Sequence, residues 1–220
     1  MTLQPDDETR GWGEPLTCLP SPWPELDEYL HLRPGHLVGI GAASDSRERD
    51  AGYQLALHTA AHGHPTLLCA PDLTPRNPVP NLTVQRLPEL DPDRIERALA
   101  ACAHTDRPIG LVVIDPFHRM HADRDSGPLA YPEQAGEVGR RLKILASTPA
   151  YHRPVIIVMA RLSPPPAGES PALRHLGLAA ELEYDTDTLL LLNRTSPRNV
   201  EALIVKDRHG PAPTKATISW

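Results

Sequence analysis

A repeated alternation of segment types constrains the fold most. Runs rich in β-branched residues and leucine recur at 37–41, 65–69, 82–87, 110–115, 154–160, 187–193, 200–206 and 214–219, with helical patterns between several of them. "DAGYQLALHTAAH" places Tyr53, Leu57, Ala60 and Ala61 on one helical face. "DPDRIERALAACAH" does the same with Ile95, Leu99 and Cys102, and "EQAGEVGRRLKILAS" with Val138, Leu142 and Leu145. Parallel strands need long crossovers and antiparallel ones do not, so this spacing predicts an α/β fold: a mostly parallel central sheet with helices on both faces. The last two runs are separated by the short "DRHGPAP" and predict an antiparallel hairpin closing the sheet edge.

A chain of 220 residues with 40% hydrophobic content can bury one full core. Prolines, 26 in all, crowd the first 35 residues, 71–92 and 163–171. Residues 1–22 therefore read as a Pro-rich arm, and 23–220 as one domain with Pro-rich loops. Cys18, Cys69 and Cys102 have neither metal-ligand spacing nor the pattern of a disulfide framework, so no metal site is expected and a reducing cytoplasm is. "MTLQPDDETRGW" is acidic and polar, and no apolar run approaches a membrane span, so no membrane association is expected. The net charge of −6 argues against a surface devoted to gripping phosphate backbone, and weak or no intrinsic nucleic-acid binding follows.

In sheets of this kind ligands bind beyond the carboxyl ends of the strands. That singles out Gly41–Asp50, Ala70–Leu73, Asp115–Arg119 and Ala160–Ser163. Asp115 ends the apolar run "GLVVI", where a carboxylate can reach Mg²⁺ through water or simply turn the chain. Asp72 in "APDLTP" can polarise a water or serve as an ordinary loop carboxylate.

Order and spacing make these pieces similar to the C-terminal motor domain of DnaB-type replicative helicases, a RecA-fold family, over nearly the whole chain. "WPELDEYLHLRPGHLVGIGA" resembles the approach to the family's first core strand. "HPTLLCAPDL" resembles the second, with Asp72 where a catalytic Glu is usual, and "LVVIDPFHRM" the Walker B strand at Asp115. "EVGRRLKILASTPAYHRPVIIVMARL" leads to Arg161 in the place of a sensor Gln, which adds a cation at a buried edge, paired with Asp115 or Asp72. "PALRHLGLAAELEYDTDTLLLLNR" follows the Glu-x-Asp-x-Asp segment through Glu183, Asp185 and Asp187. "ALIVKDRHGPAPTKATISW" resembles the terminal hairpin whose Lys and Arg reach a neighbouring subunit's nucleotide, here Lys206 and Arg208. The resemblance implies a RecA-like three-layer fold. The family's N-terminal collar and linker helix have no counterpart before Trp23.

Laid on the P-loop pattern G-x-x-x-x-G-K-[ST], Ala43 takes the first Gly position, Glu48 the second, Arg49 the Lys and Asp50 the hydroxyl residue. Ser44, Ser46, Arg47, Arg49 and Asp50 make up the degenerate nucleotide loop. Glu48 puts a side chain and a negative charge where phosphate should approach bare backbone. Asp50 replaces a neutral Mg²⁺ ligand with a carboxylate. The same letters suit a self-capped helix start, with Asp45 as N-cap and Glu48 as its capping-box partner. No cofactor is expected, with ATP and Mg²⁺ only if this loop still binds. Three functions stay open: a non-hydrolysing binding or regulatory module in DNA replication or related DNA metabolism, an active DNA-dependent ATPase or helicase, and a RecA-fold module for a non-DNA protein partner. A replication factor, a helicase subunit or a second copy is the expected partner.

Overall fold

The computed structural model describes residues 18–43, 50–73, 77–86, 89–123, 125, 127–166 and 169–220. In chain order the elements are α1 (Pro24–Asp27), β1 (Leu37–Ala43), α2 (Ala51–Ala61), β2 (Thr66–Cys69), β3 (Leu82–Gln85) and α3 (Pro92–Cys102). Then follow β4 (Leu111–Ile114), α4 (Pro132–Ser147), β5 (Val155–Leu162), α5 (Leu182–Asp185), β6 (Thr188–Arg194), β7 (Asn199–Asp207) and β8 (Thr214–Ser219). Short 3₁₀ segments at Phe117–Arg119 and Leu173–Glu181 fill connections on the carboxyl side of β4 and β5.

The strands form one sheet in the order β3-β2-β4-β5-β1-β6-β7-β8. Its first six members run parallel, and β7 and β8 add antiparallel at one edge. This is the RecA-like arrangement expected from the alternation of segments.

Period-two alternation divides the apolar residues between two layers. Leu37, Leu67, Val112, Ile156, Leu189 and Leu191 face α3 and α4. Val38, Ile40, Leu68, Val113, Ile157 and Leu190 face α1 and α2. Gly39 and Gly41 lie on the α4 side of β1 for want of room: a Cβ there would stand 2.5 Å from Leu189 Cδ1 and 2.8 Å from Leu191 Cδ2, respectively. Local chemistry starts the longer helices. Asp91 accepts from the Arg94 amide at 2.8 Å ahead of Pro92, and Gln134 Oε1 accepts from the amides of Ala130 and Tyr131 ahead of Pro132.

Helix α2 corrects one expectation. Its buried side is Ala51, Gly52, Leu55, Ala56, Thr59 and Ala60, while Tyr53 and Leu57 are half-buried and Ala61 is exposed. Because the helix is apolar on most sides, periodicity alone cannot choose a face, and close approach decides it. A Cβ on Gly52 would meet Met159 Cγ at 2.7 Å and Val113 Cγ1 at 3.1 Å, so the helix lies down on its small residues.

The lead-in segment is pinned from both ends. Leu19 bridges to Leu32, Leu19 and Ser21 are buried, and Trp23 stacks on Trp220 with ring centroids 4.9 Å apart. Residues 1–17 of the expected arm lie outside the described residues. No described helix is long and apolar enough to cross a membrane.

Candidate functional site

The carboxyl ends of β1, β2, β4 and β5 open on a common edge and enclose a cavity of about 270 Å³. Asp50, Asp72, Asp115 and Arg161, each singled out from sequence, line it together with Ala42, Ala70, Leu73, Pro116, His118, Met159 and Ala160. Ser44, Ser46, Arg47, Glu48 and Arg49 lie outside the described residues, as does the expected capping pair of Asp45 and Glu48. Described structure resumes at Asp50, which stands at the N-cap of α2 without capping it through its side chain.

Asp72 is held across the mouth of the cavity. Arg119 Nη1 donates to Asp72 Oδ2 at 2.9 Å, with both side chains largely in solvent. The expected pairing of Asp72 with Arg161 is therefore not made. Arg119, one turn beyond Asp115, reaches Asp72 from the adjacent strand end first. Nor is Arg161 a buried-edge cation. It stands near the end of β5, is exposed, and among the described residues forms no ion pair with either aspartate.

His118 sits between the two guanidinium groups. Burial lowers its pKa first, and the charges of Arg161 and Arg119 lower it further, so the ring is neutral at neutral pH. Its Nδ1 is enclosed without a hydrogen-bond partner among the described residues. Among those residues, no three His, Cys, Asp or Glu side chains are grouped so as to hold a metal ion.

Lys206 and Arg208 lie at the other edge of the sheet. Antiparallel β7 pairs Lys206 with Leu189, and Arg208 N–H donates to the Asp187 carbonyl beside the start of β1. The span of β1 separates them from the cavity, about 20 Å at the ~3.3 Å rise of a parallel strand. Both cations are engaged within the chain. Lys206 Nζ donates to the Glu183 carbonyl, and Arg208 donates to the carbonyls of Thr186 at 3.1 Å and Tyr184 at 2.5 Å. Burial, then the Arg208 charge, lowers the Lys206 pKa. Asp187 anchors this end: its Oδ2 accepts from the Leu37 amide at 2.8 Å and from Lys143 Nζ at 2.7 Å.

The same architecture occurs in solved structures. The ATPase domain of a DnaB-like helicase superposes with a TM-score of 0.73 at 17% identity, over 93% of this chain and 87% of that one. A DnaB-like replicative helicase, described with its interactions with primase, gives 0.75 at 18% identity, over 93% of this chain and 59% of that one. The fold is that of a DnaB-like helicase ATPase domain. The chain thus spans about three-fifths of the length of the second relative. No protein-family profile matches the sequence, and no curated protein does.

Within this DnaB-like fold, sequence reasoning placed Asp50, Asp72, Asp115 and Arg161 at one edge and missed what surrounds them. His118 and Arg119 fell inside a strand-end stretch already singled out, but nothing in their spacing says that one contacts Asp72 and the other stands between two arginines. The anchoring role of Asp187 was likewise hidden, because its partners Leu37 and Lys143 are remote in sequence.

Proposed function

We propose that this chain is a DnaB-like RecA-fold module that does not hydrolyse ATP and works in the cytoplasm as a binding or regulatory subunit in DNA replication or related DNA metabolism. The observation that carries this reading is Asp50, a carboxylate lining the strand-end cavity with Asp72 and Asp115. A phosphate oxygen about 4 Å from such a carboxylate meets a repulsion of about 4 kcal/mol per charge pair at a surface-like dielectric, and of about 1 kcal/mol in bulk water. Asp72 adds a second obstacle, since the pair with Arg119 engages the carboxylate that would have to polarise a water. Mg²⁺ and ATP are therefore not part of the proposed activity.

The hairpin favours a protein partner. Lys206 and Arg208 lie too far from their own cavity to serve it, so any action on a ligand at such a site would be on a second copy, a helicase subunit or a replication factor. The competing reading, an active DNA-dependent ATPase, draws on Asp115 and Asp72 standing at strand ends that open on one cavity. A non-DNA partner draws on the net charge of −6.

Calorimetric titration of Mg-ATP into the natural chain, beside the triple substitution Glu48→Gly, Arg49→Lys, Asp50→Thr, tests the reading. Silence from the natural chain with binding in the substituted one is expected. Micromolar binding by the natural chain overturns it. Single-stranded DNA binding with a steep salt dependence would separate a DNA-linked role from the non-DNA partner.

A further inference from the structure

Arg161 and His118 border a second cavity, of about 190 Å³, on the far side of Ala160 from the first. The two differ in chemistry. Asp50, Asp72 and Asp115 line the first, whereas no carboxylate is among the described residues that line the second. Phe117, Leu176 and Leu178 supply its apolar wall, and Arg161, His118 and Ser163 supply its polar groups. Its volume exceeds the roughly 150 Å³ of an apolar protein cavity able to hold benzene. It therefore has room for one ring or a short chain, and it is smaller than the sites that take whole cofactors.

The charge at its rim selects among molecules of that size. Arg161 is exposed and forms no ion pair among the described residues, so its planar fork of donors is available to a carboxylate. His118 brings a neutral imidazole whose enclosed Nδ1 has no partner among the described residues. A phosphate is a poorer match, because its higher charge and hydration call for several cations and this rim offers one guanidinium. The carboxylates of the first cavity repel an anion held at Arg161 and favour the acid-free side.

We propose that this second cavity binds a small aromatic or aliphatic carboxylic acid, with its apolar body against Phe117, Leu176 and Leu178 and its carboxylate on Arg161. The site is independent of whether a nucleotide visits the first cavity.

Benzoate and its neutral analogue benzyl alcohol, titrated against the full chain by calorimetry and ligand-observed NMR, test the assignment. Saturable benzoate binding is expected, tighter than that of benzyl alcohol by about tenfold or more, as one charge-assisted contact provides. Arg161→Leu, at an exposed position, keeps the fold and reduces benzoate to the level of the alcohol. Leu178→Trp fills the cavity and removes both. Asp72→Asn relieves repulsion in the first cavity alone and leaves benzoate affinity within about twofold, the ordinary effect of a surface substitution. Absence of saturable benzoate binding, equal affinity for acid and alcohol, or indifference to Arg161→Leu overturns the proposal. A several-fold gain in Asp72→Asn would place the acid in the first cavity and overturn it equally.

Discussion

Replacing Asp187 tests how the two edges of this fold are coupled to its core. The side chain is 4% exposed and joins three elements: it accepts from the Leu37 amide of β1, binds Lys143 of α4, and has Arg208 Nε 3.9 Å from its other oxygen. In Asp187→Ala the Leu37 amide is left buried without its acceptor, at a cost of about 1–3 kcal/mol. Lys143 also loses its counter-ion. Breaking a fully buried pair costs about 3–5 kcal/mol, but Lys143 is 30% exposed and keeps the Gly35 carbonyl at 2.9 Å, so about 1 kcal/mol is the larger share to assign here. Together these give a loss of about 2–4 kcal/mol, or a fall in Tm of roughly 4–16 °C for a chain of this size. Asp187→Asn retains an acceptor for Leu37 and gives up only the charge, so it loses about 1–2 kcal/mol. Urea unfolding followed by the fluorescence of stacked Trp23 and Trp220 measures both. If Asp187→Ala proves no worse than Asp187→Asn, the buried amide is not the dominant cost and the reasoning fails.

Gly52→Val forces branched carbons onto Met159 and Val113, where even a Cβ stands at 2.7 and 3.1 Å. It should destabilise by about 1–3 kcal/mol through overpacking, and unchanged urea stability would refute the close approach of α2. His36 is buried, stacks on His209 at 4.9 Å, and titrates below its ordinary value of 6.5. Burial is the largest cause; Asp187 opposes it, and His209, Lys143 and Arg33 reinforce it. The unfolded chain therefore takes up the proton first as pH falls, so stability present above about pH 6.5 declines below it. His58 and His118 shift the same way and add to the slope. His36→Phe should flatten the decline of Tm between pH 7 and 5, and an identical slope would rule His36 out as a contributor. Burial pushes the Cys69 thiol up to about 12, whereas Cys18 is exposed. An alkylating reagent at pH 8 should label Cys18 and spare Cys69 until urea unfolds the chain, which mass spectrometry of the peptides would show.

The strands were legible because their composition and their function in the fold coincide. Each buried run, such as "LVVI" at 111–114, is long enough only for a strand and ends in turn residues. The longer helices α3 and α4 were legible for a related reason, since their polar and apolar sides differ and Ile95, Leu99, Val138 and Leu142 are indeed buried. Helix α2 was not, because an alanine-rich segment carries little angular contrast and only contact with Met159 and Val113 chooses its face.

Chain order alone determined that Asp50, Asp72, Asp115 and Arg161 would share one edge, because in a parallel sheet every strand's carboxyl end faces the same way. It also determined that Lys206 and Arg208 would lie elsewhere, once the hairpin was recognised as antiparallel. Tertiary structure decided how these charges are partnered: Arg119 rather than Arg161 on Asp72, Lys143 on Asp187, and backbone carbonyls on Lys206 and Arg208. Periodicity reports which side of an element faces the core. Pairing among long, flexible charged side chains depends on distances of a few ångströms between segments far apart in sequence, and these exist only once the sheet has assembled.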